Sequence, residues 1–308
     1  MISLKFSHRK IADLVLLIGV IAIFTDGAVA QSGVIPPPPP AQHISFNRPE
    51  AWALKRFDAA LLPSTMLPIA PAELQHVGTV TVGLTADWLP KLDAGQQIVG
   101  FNGTEPEDLN KAPVLIRPVI AVQLPSKFRV FATAPIPIST FGIKPRLFAF
   151  GVDRPLLERG QWMLHWQAYG QVGSVKGAFT CRRPGFPSIC VGTSSDIASL
   201  HYAGMQFQVE HPLPQLPKLL LHASVAGTFA DLAFLAHAPL VMGLEGQGHY
   251  WTRGGIFSTT GGATYLFNHG IALTVDAFYA PLGVSRTQGA PQTNDGLFNV
   301  RTLLSYNF

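Results

Sequence analysis

FNVRTLLSYNF, residues 298–308, alternates with a period of two. Phe298, Val300, Thr302, Leu304, Tyr306 and Phe308 fall on one side, and Asn299, Arg301, Ser305 and Asn307 on the other. Successive side chains of a strand point to opposite faces. The segment therefore reads as a β-strand with one face suited to hydrocarbon and one to a polar surround. A soluble β-sandwich alternates too, but it has no reason to stop on an aromatic residue with another aromatic two positions earlier.

The same design recurs upstream. In QWMLHWQAYGQV (161–172), Trp162, Leu164, Trp166, Ala168, Gly170 and Val172 oppose Gln161, Met163, His165, Gln167, Tyr169 and Gln171. Val80, Val82, Leu84 and Ala86 oppose Thr79, Thr81, Thr85 and Asp87. Ala203, Met205, Phe207 and Val209 oppose Tyr202, Gln206, Gln208 and Glu210. Leu219, Leu221, Val225 and Phe229 oppose His222, Ser224 and Thr228. Ile271, Leu273, Val275, Ala277 and Tyr279 oppose Thr274 and Asp276. On these segments, and above all on the terminal Tyr306 and Phe308, the chain resembles the bacterial outer-membrane β-barrel superfamily over roughly residues 76–308. The resemblance implies an integral outer-membrane location. It also implies a closing strand whose Tyr306 and Phe308 signal to the assembly machinery.

The expected fold class is all-β: a closed antiparallel transmembrane β-barrel preceded by a short helix and a Pro-rich arm. No long apolar helix follows residue 30, and lipid leaves only helices or closed barrels as spanning structures. Strand candidates fall near 77–87, 113–124, 127–134, 143–152, 160–173, 199–210, 217–230, 239–250, 255–268, 270–281 and 296–308. Single-chain bacterial barrels have an even number of strands. These candidates therefore predict twelve, with 177–181 or 96–101 supplying one more; ten is the next choice. If the last strand runs inward, the turn Asn268–Gly270 is periplasmic and Pro281–Asp295 is extracellular.

Residues 1–30 have a basic start (Lys5, His8, Arg9, Lys10), an apolar run Leu14–Phe24 and a small-x-small site at Ala28–Ala30. That is the layout of a secretory signal peptide cleaved after Ala30. Residues 31–46 contain Pro36–Pro40 and read as an extended periplasmic linker. Residues 47–75 read as a lead-in segment with a helix before Pro63; Asn47 and Glu50 resemble a capping box, and Pro49 suits a first turn. This helix could plug the barrel, pack at its mouth or, together with the arm, reach a periplasmic protein partner through residues 31–62. Cys181 and Cys190, alone in an exported chain, read as a disulfide closing a small loop.

The polar faces imply a barrel interior lined by Gln161, His165, Gln167, Tyr169, Gln206, Gln208, Glu210, Glu245, Asp276 and Arg301. Arg117, Arg129, Lys144 and Arg146 are further candidates. Such a set either fills the interior as a hydrogen-bonded core or lines a narrow passage for small solutes. Trp88, Trp162, Trp251, Tyr279 and Tyr306 fit interfacial girdles. His222 and Ser224, two apart on one strand, are similar to the His-x-Ser pair of outer-membrane phospholipases and lipid A deacylases. That makes them weak catalytic candidates for acyl transfer; a third residue to orient the His is not evident on the next strand. No motif for a metal or cofactor is found, and neither is expected. With 13% charged residues and a net charge of +4, the composition excludes a basic nucleic-acid binder. The expected partners are membrane lipid and the assembly machinery.

Overall fold

Ten strands close into a ring. They are β1 (Val80–Trp88), β2 (Val114–Gln123), β3 (Arg129–Thr133), β4 (Ile143–Arg159) and β5 (Trp162–Gly177). The second half comprises β6 (Asp196–Leu213), β7 (Leu216–Pro239), β8 (Glu245–Leu266), β9 (Ile271–Ala280) and β10 (Leu297–Asn307). Each pairs antiparallel with the next in chain order, and β10 pairs back onto β1, from Val300↔Trp88 to Asn307↔Thr81. The computed structural model describes residues 39–68, 76–136, 142–182, 189–286 and 291–308. Residues 1–38, which hold the expected signal peptide and the first part of the expected arm, lie outside them.

The ring has ten strands, not the expected twelve. The difference lies in Trp251–Gly255, where the glycine pair reads as a break in sequence but runs on as strand within β8. A Cβ at Gly254 would meet the ring of Phe46 at 2.5 Å. The glycine is therefore a point of close approach by another part of the chain, the second meaning a strand glycine can have. The true turn is Leu240–Leu244, and β7 and β8 pair continuously from Leu219↔Tyr265 to Pro239↔Glu245. Neither candidate for an extra strand joins the ring. Gly177 ends β5, and Ile98–Val99 forms a small pairing with Glu105–Pro106 in the β1–β2 loop.

The two ends of the ring differ. One carries the tight connections 124–128, 160–161, 214–215 and 267–270. The other carries 89–113, 134–142, 178–195, 240–244 and 281–296. These are called the turn end and the loop end below.

Helix α1 (Pro49–Leu61) lies inside the ring at the loop end. Its sequence has no β-branched residue, Pro49 opens it, Glu50 sits in its first turn and Pro63 stops it. Its N-cap is Arg48, with no side-chain cap; Asn47 instead donates to Ser285 Oγ at 3.2 Å, so the capping box does not form. Ala51, Trp52, Leu54, Asp58, Ala59 and Leu61 are all buried, as befits a helix surrounded on every side. Trp52 Nε1 donates to Asp295 O (2.9 Å) and Arg56 to Pro90 O (2.8 Å), which ties α1 to two loops.

From Leu62 the chain descends the lumen toward the turn end, where Arg129 donates to Pro68 O at 2.9 Å. Upstream of α1, residues Gln42–His43 pair in parallel with Tyr250–Trp251 of β8, and Pro39 O lies 3.1 Å from His249 Nδ1. Pro39–Phe46 thus sit at the loop end. Of the segment 31–62 expected to reach a periplasmic partner, residues 31–38 lie outside the described residues. Residues 49–62 are enclosed by the barrel wall, and residues 39–46 lie opposite the short turns.

Cys181 and Cys190 form a disulfide in the β5–β6 loop. Asp196 organises this loop. Its carboxylate accepts from Phe179 N (2.8 Å), Thr180 N (2.7 Å), Ser194 Oγ (2.6 Å) and His237 N (3.0 Å). Hydrogen bonds to a charged group are each worth roughly 1.5–3 kcal/mol. Asp196→Ala is therefore expected to raise tryptic cleavage after Arg182 of the folded, disulfide-bonded barrel by about tenfold or more, the equivalent of ~1.4 kcal/mol of loop stability. An unchanged cleavage rate would mean that the disulfide alone holds the loop.

Candidate functional site

The inward faces of the strands meet the descending segment 62–68, and together they fill the middle of the barrel. His165, Gln167, Tyr169, Gln206, Gln208, Glu210, Asp276 and Arg301 are buried on the inner face. Gln161 is not: it sits exposed in the β4–β5 turn, because alternation extrapolated past the first strand residue, Trp162, loses its meaning. Glu245 opens β8, and its side chain lies outside the described residues. Arg117 and Arg129 point inward, whereas Lys144 and Arg146 are exposed near the loop end of β4.

One row of pairing crosses five strand junctions: Glu210↔His222↔Gly262↔Asp276↔Arg301↔Asp87. Gly262 is what lets its members meet. A Cβ there would collide with Asp276 Oδ1 and with His222 Nε2, so the missing side chain leaves room for His222 to reach Asp276 across an intervening strand. His222 Nε2 stands 2.5 Å from Asp276 Oδ1. Arg301 donates to Asp276 Oδ2 from Nε at 2.7 Å and again from Nη2. Its remaining nitrogen, Nη1, donates to the carbonyls of Pro63 and Met66, the latter at 2.7 Å.

The descending segment is held at further levels. Ser64 donates to Asp87 at 2.6 Å, and Thr65 Oγ1 lies 2.9 Å from the Tyr202 hydroxyl. Gln167 donates to Leu67 O at 3.4 Å. Arg129 pairs with Asp153 at 2.8 Å while holding Pro68 O. Wall and segment thus share their hydrogen bonds, as buried polar groups require. Trp52, Leu62, Met66 and Leu67 fill the space between these polar contacts.

The weak catalytic pair takes its place in the same network. Asp276 supplies the partner of His222 that the next strand, β8, does not; it comes from β9, one strand further on. Yet Ser224 Oγ has no hydrogen-bond partner, so His222 does not engage it as a base. Both side chains are buried on the inner face, away from any lipid acyl chain. They belong to the packed interior. Among the described residues no cluster of three or more His, Cys, Asp or Glu side chains comes together to hold a metal ion.

The outer face is the reverse of the inner one. Phe148, Phe150, Val172, Phe207, Phe229 and Leu304 are 40–58% exposed on consecutive parts of the wall. Trp88 and Tyr279 mark its loop end, and Trp162, Tyr306 and Phe308 its turn end. Trp251 instead packs against His43, with ring centroids 4.5 Å apart and the planes tilted by 57°.

No family model and no curated protein matches this chain. Solved structures do. The outer membrane protease OmpT from Escherichia coli matches at 10% identity and a TM-score of 0.37, over 75% of this chain and 94% of that one. The β domain of the Bordetella autotransporter BrkA matches at 11% and 0.35, over 76% and 100%. Ail, the attachment invasion locus protein of Yersinia pestis, matches at 10% and 0.29, over 76% and 100%. The chain's own architecture is a closed ten-stranded antiparallel β-barrel. An even-numbered antiparallel ring, apolar outside and polar inside with aromatic residues at both rims, is the lipid-solvated arrangement.

Breaking the row should be costly. Arg301→Met leaves Asp276 and two segment carbonyls without their donor, with an expected loss of about 3–5 kcal/mol. Arg301→Met combined with Asp276→Leu should recover part of it, because no lone charge then remains. Gly262→Ala should cost about 1–3 kcal/mol by overpacking the row. Urea unfolding in lipid vesicles measures all three. A double variant no better than Arg301→Met would show that the pair is not the coupled unit.

Proposed function

We propose that this protein is an outer-membrane barrel sealed by its own N-terminal segment, serving as an anchored platform that offers its loop end to a partner or ligand outside the cell. The observation that carries the reading is the course of residues 49–68. They traverse the lumen and share buried charge-assisted hydrogen bonds with the wall at several levels. A polar lumen favours a small-solute channel only when it is open. Here the polar groups are spent on a segment of the same chain. This supports the partner-binding reading over a channel open at rest.

The orientation follows from the connections. In membrane barrels the short turns face the periplasm and the longer loops face outward. On that basis the disulfide between Cys181 and Cys190, the loop 89–113 and residues 39–46 preceding α1 face the exterior. Removal of residues 1–30 as a signal peptide and recognition of Tyr306 and Phe308 by the assembly machinery belong to the same proposal.

Planar-bilayer recording tests the seal. Folded wild-type protein should give no steady conductance, whereas Arg129→Ala/Arg301→Ala, which frees Pro63, Met66 and Pro68, should give intermittent opening. Steady conductance by the wild type would return the protein to the channel class. The orientation is tested by an epitope tag placed after Ala30. It should bind antibody on intact cells, and binding only after the outer membrane is permeabilised would reverse the orientation.

A further inference from the structure

A chamber remains at the loop end, beside the seal. It lies between one face of α1 (Ala53, Leu54, Phe57), the loops carrying Glu107 and Phe179, and the ends of β7 and β8. Its volume is ≈ 160 Å³, close to the roughly 150 Å³ apolar cavity that accepts benzene in an engineered protein. It exists because the wall is thin on this side: Ala236, Ala238, Gly246 and Gly248 line it where larger residues would fill it. Phe57 and Phe179, with ring centroids 5.1 Å apart, and Phe179 and Phe234, at 6.2 Å, form its aromatic side.

One polar group stands out in this apolar lining. Glu107 Oε2 is buried with no partner at hydrogen-bonding distance, and the hydroxyl of Thr180, the side chain it approaches, is buried and unmatched in the same way. The loop that carries it is fixed: Glu107 N donates to Gln97 O at 2.8 Å and Asp108 N to Phe179 O at 2.9 Å. The carboxyl group packs on Gly100, where a Cβ would collide with it. Of the other two acids of the lining, Glu50 and Glu105, Glu50 is already satisfied by Arg48 at 3.0 Å and by Asn102 N at 2.6 Å. A buried, unpaired carboxyl oxygen in a fixed position is costly to leave unmatched, and the residue that carries it lines a cavity of ligand size.

We propose that this chamber is a binding site for a small neutral apolar molecule, about one aromatic ring in size, whose single hydroxyl or carbonyl meets Glu107. The wall supplies the apolar contact, and one convergent polar group fixes the orientation, the usual composition of a small-molecule site. Burial, followed by the nearby carboxylates of Asp196, Glu50 and Glu105, pushes the Glu107 carboxyl group up to about 8, with Thr180 opposing. At neutral pH it is therefore mostly protonated and both donates and accepts a hydrogen bond, which suits a neutral partner. The site does not depend on whether the lumen conducts, and its test reads binding alone.

The experiment titrates 4-fluorophenol into the folded protein in lipid nanodiscs and follows it by ¹⁹F NMR, with empty nanodiscs as the reference for partitioning. A saturable component is expected with wild type. It should vanish in Ala236→Phe and in Ala53→Leu, which fill the chamber from opposite walls; heat-modified gel mobility verifies that each variant is folded. Glu107→Leu should weaken binding by about tenfold, the equivalent of ~1.4 kcal/mol, and Glu107→Gln should retain most of it. Fluorobenzene, which lacks the hydroxyl, should bind more weakly and be indifferent to Glu107→Leu. No saturable component with wild type, or undiminished binding in both filled variants, would overturn the site. Equal affinity of wild type and Glu107→Leu for 4-fluorophenol would overturn the role of Glu107.

Discussion

Arg301 is where wall and seal become one structure. Its guanidinium is almost wholly withdrawn from solvent, and it meets a carboxylate from β9 and two main-chain carbonyls from the descending segment. A charge in such a place is tolerated only when paired and hydrogen-bonded. Asp276 alone would leave one edge of the guanidinium bare, and Pro63 and Met66 alone would leave its charge unbalanced. The seal therefore completes the solvation of the wall, and the wall fixes the seal. The same logic repeats lower down, where Arg129 joins Asp153 to the carbonyl of Pro68.

This sharing explains how a polar interior coexists with a closed one. Strands with one face in lipid must put their polar residues inward, and in a ring of ten strands those residues surround a space wide enough for one helix or one extended chain. Water could satisfy them, as in an open channel. Here residues 62–68 engage part of the set, Asp87, Arg129, Gln167, Tyr202 and Arg301, while His165, Glu210 and Asn299 keep buried atoms without a partner, and apolar side chains such as Trp52, Leu62 and Met66 take up volume between them. The polar residues that a sequence presents as a candidate solute path thus serve chiefly as a lining for the chain itself.

At the loop end, order comes from different sources. The disulfide closes its loop, Asp196 gathers four donors around one carboxylate, and Gly100 lets the Glu107 carboxyl group lie flat against the main chain. These devices hold loops rigid without a large apolar core of their own. Rigid loops over small wall residues are also what leave a chamber unfilled.

Much of this was legible in the linear order of residues. Period-two alternation identified the inner and outer faces, because side-chain direction along a strand is a local property, and a pair of cysteines nine positions apart allowed only a short loop. The strand count was not legible, since Gly254 and Gly255 carry the same local signal whether they end a strand or admit the ring of Phe46. Nor was the pairing of His222 with Asp276, which depends on register across three strands and on the empty space at Gly262. The sequence by itself determined which faces are apolar and which polar. Only the tertiary structure decided where residues 39–68 go, and with them whether the polar interior is a passage or a seal, because that choice rests on contacts between residues 23 to 243 positions apart.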